Sequence, residues 1–302
     1  MRRPKAILIV GGTGILGTHL ALHLREGYKV YATYHRKRMS IPGVSFLPFN
    51  ALDRNWIKRI VFKINPDIVI YTAGNEVVEW AESNPRDAER IYTSGAASVS
   101  TVAEVLQPKF IYLSNSYVFD GRRGNYHEND VVLPSTILGK VKVAGENFIK
   151  GRSLNYVIVR SSPIFGRGNG RALSFLDLVR NRLSQGEPIG VPNFEQHSFA
   201  PIYGLVELIV RLVEGGPRNE VLHYGGLTKL THYEFATAFA KRFGYEPNLI
   251  RPVDAPLDEK THENPESDYS LNSSRVAELL KLKPLLLEEG FDLLENKLSA
   301  TW

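Results

Sequence analysis

One stretch constrains this chain more than any other: residues Ala6–Gly17, AILIVGGTGILG. A short apolar run ends in glycines at 11, 14 and 17 and passes into a helical pattern. An apolar run of this length, bounded by turn residues, reads as a buried strand. Gly11 permits the tight turn out of that strand, Gly14 lets the backbone approach a pyrophosphate, and Gly17 lets helix and strand pack closely. The amides at Thr13, Ile15 and Leu16 fall where a helix begins, and a helix N-terminus favours phosphate. Glycines alone say little; a strand before them and an amphipathic helix after them give the pattern its meaning.

That context continues along the first half. Ala6–Val10 is read as a strand, Thr13–Glu26 as a helix and Lys29–Thr33 as the next strand, rich in β-branched and aromatic residues. Trp56–Ile64 is read as a helix stopping before Pro66, Asp67–Tyr71 as a buried strand, and Pro85–Leu106 as one long helix. Phe110–Ser114 and Tyr156–Ser161 are strands flanking a helix over Leu138–Ile149. Near-continuous apolar strands alternating with helices predict an α/β fold, a doubly wound parallel sheet of Rossmann type covered on both faces.

After Gly166 the texture changes. A glycine-rich loop leads into a helix ending near Arg182, Pro188–Pro201 reads as irregular, and Leu205–Val213 as helical. Tyr233–Phe243 is helical, Asn248–Asn272 reads mainly as loop, and Ser273–Leu280 and Glu288–Leu298 are the last helices. The division expected is a dinucleotide-binding domain over 1–165 and a smaller substrate-binding domain over most of 166–302. A strand near 221–224 is expected to rejoin the first sheet.

Composition excludes several classes. With 302 residues, 43% hydrophobic and 23% charged, the chain has the makeup of an ordinary globular protein. It has no cysteine, which removes disulfides and thiolate metal sites. The eight histidines show no metal-ligand spacing, and His127-Glu128-Asn129-Asp130 reads as an acidic surface loop. The apolar group Leu285-Leu286-Leu287 reads as core. The opening MRRPKAILIV has the order of a secretory leader, but Gly11 and Gly12 break its apolar run and no small-residue cleavage site follows. No run approaches a membrane span. The expected setting is cytoplasmic, with no membrane and no nucleic acid as partner: the net charge of +5 is scattered and lacks a recognition motif.

The second strand ends near Thr33-Tyr34-His35, followed by Arg36, Lys37 and Arg38. An NAD-selective site usually places a carboxylate there, on the ribose hydroxyls. A carboxylate repels a 2′-phosphate and a guanidinium attracts it. NADP(H) is therefore favoured over NAD(H), with His35 and Arg36 nearest the strand end.

Eight segments in this order give the chain a family resemblance: GGTGILG at 11–17, NPDIVIYTAG at 65–74, VEWAESNP at 78–85, YLSNSYVFDG at 112–121, HEND at 127–130, LGKVKVAGE at 138–146, VRSSPIFGRG at 159–168 and SLNSSRV at 270–276. The chain resembles the extended short-chain dehydrogenase/reductases, and within them the dTDP-4-dehydrorhamnose reductase family. The resemblance runs from Ala6 to about Phe291. It implies an NADP-dependent oxidoreductase fold acting on a nucleotide sugar. It carries the cofactor-proximal positions onto Gly11, Gly14, Gly17, Asn50, Ala51, Ala73, Gly74 and Lys142.

The same resemblance exposes departures at the chemical centre. The family pairs a tyrosine with a lysine four residues on; none of the 14 tyrosines here has lysine at that offset. Where the family writes Y-G-K-x-K-x-x-G-E, this chain has Leu138 through Glu146, so lysine survives as Lys142 while the phenol is Leu138. Where it writes S-T-D-Y-V-F, the chain has Ser114-Asn115-Ser116-Tyr117-Val118-Phe119. Asn115 stands at the hydroxyl position, and Tyr117 is the nearest preserved phenol, a substitute acid or else a packing or substrate-contact residue. Tyr92 stands where an asparagine is common, and Pro163 where a substrate-side tryptophan is common. Lys142 is read either as a ribose ligand or as a solvated helix lysine.

Three functions are compatible with the resemblance. One is reduction of a nucleotide sugar by NADP(H), with Lys142, Asn115 and Tyr117 as the catalytic candidates. Another is a non-catalytic binding role, as in the β subunit of methionine adenosyltransferase, a relative that serves as a protein partner. The third is a different reaction on a nucleotide sugar that needs no phenol. A homodimer or a protein partner is compatible with the family, and no pattern in the residues requires either.

Overall fold

The structure, a computed structural model, describes residues 4–51, 53–152, 155–170, 172–254 and 267–298. The first half runs β1 (Ala6–Val10), α1 (Ile15–Leu24), β2 (Lys29–Tyr34), β3 (Val44–Pro48), α2 (Arg54–Ile64) and β4 (Ile68–Tyr71). It continues through α3 (Val78–Ser83), α4 (Pro85–Glu89), a π-helical segment (Arg90–Gly95), α5 (Ala96–Leu106), β5 (Lys109–Asn115), a 3-10 turn (Ser116–Val118), α6 (Ile137–Lys150) and β6 (Asn155–Ser161).

The second half contributes β7 (Ile164–Phe165), α7 (Phe175–Ser184), β8 (Ile189–Pro192), β9 (Glu195–Gln196), β10 (Ala200–Pro201), α8 (Ile202–Glu214) and β11 (Glu220–Tyr224). It closes with α9 (His232–Arg242), β12 (Ile250–Val253), β13 (Ser267–Asp268), α10 (Ser274–Leu280) and α11 (Leu287–Leu298).

The seven-stranded sheet has the order β11-β6-β5-β4-β1-β2-β3. From β5 across to β3 its neighbours pair in parallel, with Ile9 opposite Ala32 on one side and Ile70 on the other. Every residue of β1 is buried, because helices cover both faces of such a sheet. In α2, Ile57, Ile60, Val61 and Ile64 form one buried stripe at helical spacing. Asp53 caps that helix by accepting from the Trp56 amide at 2.9 Å, and Asn65, at φ 47°, ends it.

Three expectations change and one strand is added. The added strand is β3, a short edge strand ending in Pro48 in which only Phe46 is buried. Pro85–Leu106 is helical throughout but passes through a π segment, a one-residue widening that side-chain periodicity does not encode. Pro188–Pro201 holds three short strands rather than an irregular loop. Asn248–Asn272 contributes β12 and β13, while its residues 255–266 lie outside the described residues.

The chain forms two compact units and passes between them repeatedly. The first takes in 1–119, 131–160 and 206–222; the second takes in 120–130, 161–205 and 223–302. The core of the first is built from strand and helix residues such as Leu8, Val10, Val61, Val69, Val99, Phe110 and Ile158. The core of the second is aromatic. Phe199 and Phe235 stack at 4.4 Å, and Phe165, Phe239 and Phe291 surround them.

Capping boxes at Ser174/Asp177 and Thr231/Glu234 fix the starts of α7 and α9. The carboxylates of the 127–130 loop are committed internally: Asp130 pairs with Arg123, and Glu128 accepts from the His223 amide. Leu287 packs against the second core, but Leu286 is half exposed, so the leucine triplet is only partly core. Among the described residues, no helix is long and apolar enough to cross a membrane, and no side-chain group is arranged to hold a metal.

Candidate functional site

The turn after β1 is shaped by contact with its neighbours. Gly11 has φ +94°, and a Cβ there would lie 2.6 Å from the Ala73 amide nitrogen. Thr33 Oγ1 accepts from the Gly11 amide at 3.0 Å and fixes the turn to the end of β2. A Cβ on Gly17 would lie 2.3 Å from the Gly11 carbonyl, so only glycine lets α1 sit this close to the turn.

Gly14 differs. It is exposed, and a Cβ there would meet only the Gly11 carbonyl, at 3.3 Å. It is also the N-cap of α1, with no side-chain cap and no acidic residue in the first turn. Backbone amides at Ile15 and Leu16 thus open a helix that no side-chain cap closes, beside open space. That arrangement fits a pyrophosphate. His35 and Arg36, just past β2, are exposed. Neither has an ion-pair partner among the described residues. Asn50 and Ala51 follow β3, and Ala51 lies against Gly95 of the π segment.

From the turn a continuous strip leads across the carboxyl ends of β1, β4 and β5, three neighbours in the sheet. Gly11 touches Ala73, and Gly74, at φ +148°, is pressed against the Tyr92 ring. Tyr92, in the π segment, is buried and donates its hydroxyl to the Asn75 carbonyl at 2.6 Å. The Lys142 ammonium lies over that ring, 4.4 Å from its centroid. Beyond it are Leu113, Asn115 and the start of α6.

Lys142 is neither solvated nor free. Its side chain is 2% exposed, and its Nζ donates to Glu76 Oε1 at 2.7 Å and to the Leu113 carbonyl at 2.8 Å. The solvated-lysine reading is therefore corrected: α6 turns this residue inward, onto the strand end. Glu76 was not singled out in the sequence. Its Oε2 accepts from Asn115 Nδ2 at 2.8 Å, and its side chain remains 48% exposed. Asn115 Oδ1 in turn accepts from the Tyr117 amide at 3.1 Å. Asn115 thus uses its amide to bridge the loop after β4 to the turn after β5, with one N–H left to give.

The two phenols whose rings lie against the Lys142 ammonium, Tyr92 and Tyr112, both give their hydroxyls to backbone carbonyls. Leu138 is wholly buried in the first turn of α6, which Thr136 caps through the Gly139 amide at 3.0 Å. Burial pushes the Tyr71, Tyr92 and Tyr112 phenols up, and the Glu76 carboxylate pushes Tyr92 further. The Tyr71 and Tyr112 hydroxyls are committed to the carbonyls of Ile91 and Tyr92. Tyr117 is buried at 8% exposure. Ser114 and Ser116 are both buried as well.

Comparison with known proteins gives the wider setting. A family model described as RmlD substrate binding domain matches residues 5–289, and the chain belongs to that family. The chain is 26% identical over 94% of its length to dTDP-4-dehydrorhamnose reductase of Mycobacterium tuberculosis, covering 90% of that protein. It is 23% identical over 84% of its length to methionine adenosyltransferase 2 subunit beta of Bos taurus, covering 77% of it. The crystal structure of dTDP-4-dehydrorhamnose reductase from Bacillus anthracis in complex with NADP shares the fold, with TM-score 0.79 and 23% identity. The match covers 97% of this chain and 99% of that one.

Proposed function

We propose that this member of the RmlD substrate-binding family binds a nicotinamide dinucleotide, NADP(H) in preference to NAD(H). We further propose a nucleotide-sugar-like small molecule as its second ligand, and no tyrosine-dependent reduction. Relatives named as dTDP-4-dehydrorhamnose reductase support the ligand class. The uncapped turn at Gly14 supports the dinucleotide, held by the amides of Ile15 and Leu16. Arg36 and His35 support the 2′-phosphate preference, because no carboxylate competes at the end of β2.

One observation carries the reading. Leu138 is fully buried where the family resemblance expects the phenol, and it has no proton to give. A bound NADPH would supply hydride, but a reduced carbonyl also needs a proton, and general acid catalysis by a positioned group is worth roughly 10²–10⁴-fold. Asn115 and Lys142 give their hydrogen bonds here to Glu76 and the Leu113 carbonyl, and neither supplies a phenol. The test is a fluorescence titration with NADPH and NADH, followed by an assay of NADPH oxidation with dTDP-4-keto-6-deoxy sugars. Saturable binding, tighter for NADPH, without oxidation above background is expected. Robust oxidation overturns the non-reductase reading, and failure to bind either nucleotide overturns the dinucleotide reading.

A second reading, a protein-binding subunit, is favoured by one finding: the match to methionine adenosyltransferase 2 subunit beta spans 84% of this chain. A dinucleotide site without its acid suits a protein that holds the nucleotide as a structural ligand.

A further inference from the structure

Lys142 has three N–H donors, and each has a destination. One goes to Glu76, one to the Leu113 carbonyl, and the third faces the Tyr92 ring. At 2% exposure the ammonium is closed off from solvent, whereas the Glu76 carboxylate is half open to it. A ligand arriving along the strand ends therefore meets the carboxylate before it meets the ammonium.

The strip also has a direction. Ligands of open α/β sheets lie outside the carboxyl ends of the strands. A dinucleotide with its pyrophosphate on the Gly11–Gly17 turn, extended over β4 toward β5, reaches Glu76 and Lys142. Its ribose hydroxyls can accept from an ammonium or donate to a carboxylate. The ammonium is the stronger, charge-assisted donor, but it is spent.

We propose that Glu76 is a positioning residue that withholds Lys142 from the bound dinucleotide, as an internal competitor for the same ammonium. The proposal rests on the dinucleotide reading above. A contact between the dinucleotide and Lys142 then costs the Glu76–Lys142 pair, and while the pair holds the nucleotide binds without that contact. Asn115 sets the strength of the competition, because its amide holds the second carboxylate oxygen.

The test compares wild type with Glu76→Gln, Glu76→Asp, Lys142→Met and the Glu76→Gln/Lys142→Met pair in NADPH fluorescence titrations. Acylation of Lys142 by an amine-selective reagent, read by peptide mass spectrometry without nucleotide, is the second measurement. Glu76→Gln is expected to tighten NADPH binding about tenfold and to make Lys142 reactive. Lys142→Met is expected to abolish that gain while changing the otherwise wild-type protein less. Glu76→Asp, which keeps a charge beside the ammonium, is expected to bind between the two and to serve if the glutamine variant folds poorly.

Weaker NADPH binding by Glu76→Gln overturns the proposal, since Glu76 would then be the ligand's own acceptor. Lys142 equally protected in both proteins also overturns it. If Lys142 becomes reactive but neither protein binds NADPH, the pair exists and the dinucleotide reading fails, taking the proposal with it.

Discussion

Lys142 and Glu146 sit one turn apart on α6, and each is half of an ion pair. The Glu146 pair is closed: Arg160 donates to its carboxylate through two nitrogens, at 2.9 and 2.7 Å, and both side chains are nearly inaccessible. The Arg160 guanidinium also lies over Phe119, 5.4 Å from the ring centroid, and Lys150 adds a third donor. The Lys142 pair is open on one side, with a buried ammonium and an exposed carboxylate. One helix thus carries a pair that ties α6 to β6 and a pair whose outer partner a ligand can replace. Full burial of both partners marks a structural tie, and burial of only one marks an exchangeable contact.

The largest expected effect breaks the closed pair. Arg160→Met leaves buried Glu146 with Lys150 as its remaining cation, and removing one partner of a buried pair costs about 3–5 kcal/mol. Denaturant unfolding checks it. The folded fraction should still bind NADPH with unchanged affinity; loss of binding there would erase the distinction between the pairs. Glu146 also predicts an acid limit. Burial alone would raise its carboxyl, but the Arg160 hydrogen bonds and charge hold it below its ordinary value of 4.5. Its stabilisation is present above that value and is lost as pH falls through the lowered one.

Leu138→Tyr asks whether the missing phenol alone is at fault. The site is fully buried, so the larger ring should cost about 1–3 kcal/mol through overpacking. NADPH oxidation with a dTDP-4-keto-6-deoxy sugar should remain at background while Glu76 holds Lys142. Any activity should emerge only when Glu76→Gln is added; activity in the single variant would show that the open pair does not restrain the lysine.

The second unit offers a contrast, because its partly buried His232 is kept neutral. Burial, with His197 beside it, lowers His232 to about 3, against a smaller opposing pull from Glu195. The unfolded chain takes up that proton near pH 6.5, so between 6.5 and 3 the unfolded state binds more protons and stability falls with pH. At pH 5 the loss is about 2 kcal/mol. His232→Phe should flatten this limb of a stability–pH curve without touching the loss that Glu146 causes at lower pH.

The smallest effect is at Tyr92. Tyr92→Phe removes the hydroxyl given to the Asn75 carbonyl and should cost about 1 kcal/mol in thermal or denaturant unfolding. It keeps the ring beneath Lys142, so NADPH affinity should stay within about twofold. A larger change would place the hydroxyl, rather than the ring, in the support of the lysine.

The glycine turn was legible because each glycine answers a local demand: close approach of Ala73 at Gly11 and of the Gly11 carbonyl at Gly17. The strands β1, β4 and β5 were legible because burial on both faces leaves unbroken apolar runs. Glu76 was not. It follows β4 in an exposed loop, two residues past Gly74 and between the family segments at 65–74 and 78–85, and its meaning depends on Lys142, which is far along the chain. Only the packing of α6 against β5 brings the two together. The inward turn of Lys142 was ambiguous for the same reason, since a lysine in a helix looks alike on either face until its neighbours are known. The π segment that lifts Tyr92 beneath the ammonium leaves no trace in residue type.

The protein proposed here holds NADPH without using it for tyrosine-dependent reduction. NADPH fluorescence followed over time, with protein in excess and a dTDP-4-keto-6-deoxy sugar present, tests both halves at once. An enhanced signal that saturates with protein and then persists is expected. A signal that rises and decays as the sugar is reduced would contradict it.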